Sequence, residues 1–327
     1  MGHDAAFPAD LHYPVRTAGV SGGLTDVESA IATNPEALLK RKLIAIVPML
    51  CLSALAHAGP QEQTFTEITP GAEAVNPENL IPLLQRGDVR AMNNIGLLWA
   101  RGVGVSAPNF TEALHWWKEA AKRGYPVAMN NIGLLYANGH GVSRDYKEAL
   151  KWWRMAAERG NAWAMNSVGD LYENGQGVEQ SYAEALDWYG RAAEAGDGLA
   201  MYNLGSLYEN GRGVEQSFKK AYDWYNRSAD KGIASAMHDL GRMFADGRGF
   251  PADKAEAHAW LTVAGKYYGA EDKAEADANV QDLQALTAGL NAAELGRARE
   301  IAENLAARIE ERRKAEPLQA GPGESET

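Results

Sequence analysis

The sequence predicts an all-α protein, a solenoid of helix-turn-helix repeats closed by C-terminal capping helices. Three observations carry this. The pairs Ala91-Met92, Ala128-Met129, Ala164-Met165, Ala200-Met201 and Ala236-Met237 recur at a spacing of 37 residues and then of 36 three times. Trp116, Trp152, Trp188, Trp224 and Trp260 keep the 36-residue spacing. Met92, Ile95, Gly96 and Trp99 fall at i, i+3, i+4 and i+7, one face of a helix. A repeat of this length describes stacked units that bury their apolar faces on one another.

Residues 1–39 come before a basic cluster, Lys40-Arg41-Lys42, an apolar run from Leu43 to Leu55, and the small-residue site Ala56-His57-Ala58. This is the pattern of an export signal at 40–58, with cleavage expected after Ala58. The run is shorter than the ~20 residues of a membrane span. Signals start near an N-terminus, so 1–39 is expected to be a non-native extension, with translation beginning near Leu38 or Leu39. Cys51 is the single cysteine and lies inside the signal, so the mature chain would hold no disulfide framework and no cysteine metal site. The formal net charge of −11 excludes a general nucleic-acid binder, which needs a basic footprint.

Residues 59–78 contain Pro60, Pro70 and Pro77 and read as a flexible linker. Residues 79–90 read as an N-terminal half repeat that covers the first exposed face of the stack. Five units follow over 91–268, at 91–127, 128–163, 164–199, 200–235 and 236–268. In each, the first helix carries a glycine on its apolar face: Gly96, Gly133, Gly169, Gly205 and Gly241. A helical glycine costs ~1 kcal/mol against alanine, so a partner must approach the backbone there. A glycine pair such as Gly139/Gly141 then makes the turn. The second helix starts at Asn109, Asp145, Ser181, Ser217 or Asp253, all good N-cap types. Glu112, Glu148, Glu184 and Glu256 stand three residues on, as in a capping box. The tryptophan ladder, flanked by alanines one turn away, is expected to be core.

Residues 269–315 read as two capping helices. The first carries Ala276, Val280, Leu283 and Leu286 on one stripe. The second opens at Asn291 with Glu294 and carries Leu295, Ala298, Ile301, Leu305 and Ile309. This pair is expected to pack across the last repeat, with a partner-binding role as the alternative. Residues 316–327 read as a disordered tail.

The pattern A-x-x-x-[LIV]-G-x-x-[YWF]-x-x-G-x-G-V followed by D-x-x-x-A-x-x-W-x-x-x-A-A-x-x-G resembles the Sel-one-like repeat family, short relatives of tetratricopeptide repeats. The fifth copy drifts, with Phe250 for Val, Leu261 for the second aromatic and Tyr268 for the closing Gly. The resemblance implies a right-handed superhelix whose first helices line a concave face. It implies adaptors that bind other proteins, with exported bacterial members acting in envelope signalling or host contact.

Candidate partner-binding positions are those that vary while the frame stays fixed. They are Asn93, Leu97, Asn130 and Leu134 in the first two units. Asn166, Asp170, Glu173, Tyr202 and Glu209 follow in the third and fourth, and His238 and Arg242 in the fifth. On a concave face they would make a groove apolar at one end, acidic in the middle and basic at the other. Asn94, Asn131 and Asn203 lie beside this stripe, where they either bond a peptide backbone or bridge adjacent repeats. Trp163 is off the ladder and is either an anchor for a partner or packed on the previous turn.

No motif points to catalysis. Ser217-Phe218-Lys219-Lys220 matches the S-x-x-K of penicillin-interacting enzymes, but no K-T-G or S-D-N accompanies it. His115, His140, His238 and His258 form no metal-ligand pattern. The expected function is a non-enzymatic adaptor or regulator of the bacterial cell envelope, periplasmic or secreted, binding a protein or peptide. No cofactor, no metal, no nucleic acid and no membrane anchor after cleavage are expected, and a monomer is. The alternatives are a cell-wall or β-lactam-acting enzyme and a secreted host-interaction factor.

Overall fold

The computed structural model describes residues 83–102, 107–269 and 272–315. The expected extension, signal, linker and tail lie outside the described residues, as does the start of the half repeat. Of that half unit, 83–85 are helical and Leu84 is buried. Among the described residues no helix is long and apolar enough to cross a membrane.

The fold is all-α, and the helices run as sequential helix-turn-helix pairs. α1 (Val89–Arg101) pairs with α2 (Phe110–Lys122), α3 (Pro126–Asn138) with α4 (Tyr146–Ala157), and α5 (Ala162–Asn174) with α6 (Tyr182–Glu194). α7 (Gly198–Asn210) pairs with α8 (Phe218–Asp230), and α9 (Ala234–Asp246) with α10 (Lys254–Ala264). Each helix packs on its pair-mate, and in the first four units the second helix also packs on the first helix of the next unit. α11 (Lys273–Ala288) and α12 (Ala292–Ala315) close the end.

The helix boundaries follow from capping chemistry. The first helices end at Gly102, Gly139, Gly175, Gly211 and Gly247, each left-handed with φ between 65° and 73°. That conformation has no Cβ penalty in glycine. At the second helices, the side chains of Asn109, Asp145, Ser181, Ser217 and Asp253 accept the N–H three residues on, at 3.1–3.3 Å. The capping box itself is only half made. The N-cap N–H groups donate instead to the carbonyls of Trp99, Tyr136, Tyr172, Tyr208 and Phe244, at 2.8–2.9 Å. The glutamate is therefore not required, which is why Lys220 is tolerated in the fourth unit.

The expected tryptophan ladder needs a correction. Trp116, Trp152, Trp188 and Trp224 are only half-buried, and of that series Trp260 alone is core. The fully enclosed ladder lies one residue later, at Trp117, Trp153, Tyr189, Tyr225 and Leu261. These side chains explain the helical glycines. A Cβ at Gly205 would lie 2.5 Å from the Tyr225 ring, and one at Gly169 2.6 Å from that of Tyr189. Gly96 and Gly133 face Trp117 and Trp153 in the same way, and Gly241 faces Leu261.

The second turn glycine joins neighbouring units. A Cβ at Gly141, Gly177, Gly213 or Gly249 would come within 2.5–2.8 Å of Phe110, Tyr146, Tyr182 or Phe218, the first residue of the previous unit's second helix. His140 stacks on Phe110 with ring centroids 4.9 Å apart.

At the C-terminal end the two helices dock differently. α12 buries Ala298, Ala302, Leu305 and Ile309 and lies on α10 and α8. Its start is a complete capping box: Glu294 N–H donates to Asn291 Oδ1 at 3.0 Å, and Asn291 N–H to Glu294 Oε2 at 2.8 Å. α11 does not bury its apolar stripe as expected. Val280 is 47% exposed and only Asn279 is buried, its amide donating to the Leu261 carbonyl at 3.0 Å. Its docking is polar, completed by Asp282 on His238 at 3.0 Å and Thr287 on His258 at 3.1 Å.

Candidate partner-binding site

The candidate stripe lies on the first helices of the five units. Its N-terminal third is buried: Asn93, Leu97, Asn130, Leu134 and Asn166 are each at most 3% exposed. They are therefore frame rather than free surface, contrary to the expectation. The asparagines bridge adjacent units. Asn131 Nδ2 donates to Asn93 Oδ1 at 3.1 Å, and Asn203 Nδ2 to Asn166 Oδ1 at 3.0 Å. A buried amide must find such partners or forfeit its hydration.

The acidic middle of the stripe is also engaged. The Tyr189 hydroxyl donates to Asp170 at 2.6 Å and is 2.8 Å from Glu173. Tyr225 donates to Glu209 at 2.7 Å. Burial first, and then the neighbouring carboxylates, push both phenols' pKa values up, so they remain donors. Arginines from the next unit's turn close each cluster: Arg212 is 3.3 Å from Glu173, and Arg248 is 2.6 Å from Glu209. Asp170, Glu173 and Glu209 thus hold the third, fourth and fifth units together. Replacing them by lysine would perturb the frame as well as any partner.

Further along, Tyr202 donates to Asp239 at 3.2 Å. Burial, and secondarily Glu209, raise the Asp239 carboxyl. His238 lies between Asp239 at 3.8 Å and Asp282 at 3.0 Å, which ties α9 to α11. Arg242 is exposed and Trp163 is half-buried on the first turn of α5. The structure therefore spreads the predicted positions over three classes. Arg242 is exposed, Trp163, Asp170, Glu173, Tyr202, Glu209 and His238 are half-buried, and the other five are buried.

The S-x-x-K match is a helix cap. Ser217 Oγ accepts the Lys220 N–H at 3.3 Å, while the Lys220 ammonium lies over the Tyr208 ring at 4.9 Å. Among the described residues no group of three or more His, Cys, Asp or Glu is placed to hold a metal.

Two features escaped the sequence reading. Asp230 receives Arg312 at 2.7 Å and Arg308 at 3.1 Å from α12. The outer edge of the second helices carries stacked cations: Arg191 sits 4.0 Å from the Trp188 centroid and Arg227 4.2 Å from that of Trp224. The i, i+3 spacing of both Trp–Arg pairs was the available signal.

The family model described as Sel1 repeat matches residues 89–125, 126–161, 164–197, 198–233 and 234–266, more than half of the chain. Among solved structures, a Sel1 repeat protein from Oxalobacter formigenes is similar at 35% identity, with a TM-score of 0.53 over 60% of this chain and 80% of its own. A protective antigen of uropathogenic Escherichia coli with an SLR fold shares 20% identity, with a TM-score of 0.44 over 78% of this chain and 62% of its own. An immunity protein of Pseudomonas aeruginosa shares 23%, with a TM-score of 0.41 over 88% and 90%. No curated protein matches.

Proposed function

Because this chain belongs to the Sel1 repeat family, we propose that it is a protein-holding scaffold exported to the bacterial cell envelope, acting stoichiometrically rather than by turnover. The observation that carries this reading is the division of labour within each unit. Glycines, caps and the enclosed ladder recur in register, whereas exposed positions on the second helices, such as the series His115, Lys151, Asp187 and Asp223, differ from unit to unit. A frame that repeats while its surface varies is suited to reading a protein surface of fixed shape. The export pattern at 40–58 supports an envelope or secreted location.

The test is affinity capture from the periplasmic fraction of the producing cell, using the full chain, with the stoichiometry of the captured pair measured by mass. The expected result is a saturable complex of fixed stoichiometry. No stable complex, together with hydrolysis of β-lactam or peptidoglycan that Ser217→Ala abolishes, would replace the reading by an enzymatic one.

A further inference from the structure

The second helices carry an aromatic edge that packs on the core with one side and reaches solvent with the other. Trp188 and Trp224 are half-buried at equivalent positions of α6 and α8. Each is overlaid by an arginine three residues on, at 4.0 Å for Arg191 and 4.2 Å for Arg227. Both arginines are exposed. Neither has a carboxylate within ion-pair distance among the described residues, although Asp187 and Asp223 stand one turn back on the same helices. A guanidinium held over an indole is pre-organised to receive a planar acceptor.

The molecule contains its own completed version of this arrangement. In the fifth unit the residue three after Trp260 is Val263, and the cation comes from α12 instead. Arg308 lies 5.5 Å from the Trp260 centroid, and its Nε stands 3.1 Å from the Asp230 carboxylate. That rung consists of indole, guanidinium and carboxylate. The rungs of the third and fourth units have the first two and lack the third.

We propose that the edge formed by Trp188/Arg191 and Trp224/Arg227 is a docking surface for an acidic segment of the partner protein, whose carboxylates complete the two open rungs. This rests on the partner-holding reading above and names its chemistry. A carboxylate rather than a phosphate is favoured because the completed rung uses one.

The test measures binding of fluorescein-labelled poly-L-glutamate to the full chain by anisotropy at low salt. The double variant Arg191→Gln/Arg227→Gln is compared, after circular dichroism and thermal unfolding confirm an unchanged fold. Binding at least tenfold weaker in the double variant, with Arg191→Lys/Arg227→Lys in between, is expected. No binding by the wild type, equal binding by the variant, or tighter binding of a labelled single-stranded DNA oligonucleotide would overturn the proposal. In the periplasmic capture experiment, equal capture by wild type and double variant removes this surface alone. Capture by neither removes the partner-holding reading itself.

Discussion

Asp197 offers the sharpest test of how the frame is balanced. It is the N-cap of α7, and its carboxylate accepts the Ala200 N–H at 2.7 Å. Burial pushes its carboxyl up from an ordinary 3.8 to about 6, against the opposing effect of its backbone hydrogen bonds. The preceding unit solves the same problem without a charge: Asn161, also buried, accepts the Ala164 N–H at 2.8 Å. Asp197→Asn should keep the cap and remove the buried charge.

The sign follows from the raised value. Below pH ~4 the carboxyl is protonated in both folded and unfolded chains, and its contribution is complete. Between pH ~4 and ~6 the unfolded chain ionises while the folded one holds its proton, so stability falls as pH rises. A shift of roughly two units at ~1.4 kcal/mol per unit gives a loss of about 3 kcal/mol by pH 7. The variant should lack this loss. It should match the wild type near pH 4 and exceed it by up to ~3 kcal/mol at pH 7. Urea unfolding of both proteins at half-unit steps from pH 4 to 8 reads the difference, in which the other titrating groups cancel. A variant less stable than the wild type at pH 7, or two parallel pH profiles, would refute the reasoning.

Two further outcomes are expected. Gly205→Ala places a methyl group 2.5 Å from the Tyr225 ring, so the gain of helix propensity, ~1 kcal/mol, is outweighed by overpacking of ~1–3 kcal/mol or more, read as a lowered urea midpoint. Asp230→Ala strands Arg312, which is mostly exposed, and Arg308, whose Nε and Nη2 are buried, so the cost should be about 3 kcal/mol or more. Hydrogen exchange should show the lost protection concentrated in α12, and uniform loss across the repeats would contradict the assignment of this pair as the α12 clamp.

The helices and their ends were legible in the sequence because capping and glycine chemistry are local. The N-caps Asn109 to Asp253 and the left-handed glycines were placed by their residue types alone. The core ladder lies one residue after the expected tryptophan series because two aromatic positions are adjacent in four of the five units, and the tryptophan that is invariant is the outer one of the pair in those four. The enclosed series changes identity, and it changes together with the stripe it faces. Trp117 and Trp153 accompany Ala100 and Ala137, Tyr189 and Tyr225 accompany Glu173 and Glu209, and Leu261 accompanies Ala245. An indole N–H reaches the Asn93 or Asn130 carbonyl at 3.1–3.2 Å, whereas a phenol calls for a carboxylate. That covariation was present in the sequence and marks Glu173 and Glu209 as internal partners. The clamp on Asp230 was not readable, since it spans 82 residues between elements of different type.

The contact between each second turn glycine and the aromatic before it bears on the length of the array. The glycine meets the Cβ and main chain of Phe110, Tyr146, Tyr182 or Phe218 rather than its ring, so this seam makes no demand on the side chain. Whole units of 36 residues could be deleted or duplicated between the second and the fourth with every glycine seam still matched. A unit appended after the fifth would instead have to compete with α12, which lies on α10 where earlier second helices meet the next unit. The scaffold is thus ended by a helix that occupies the next berth, not by a change in the repeat itself.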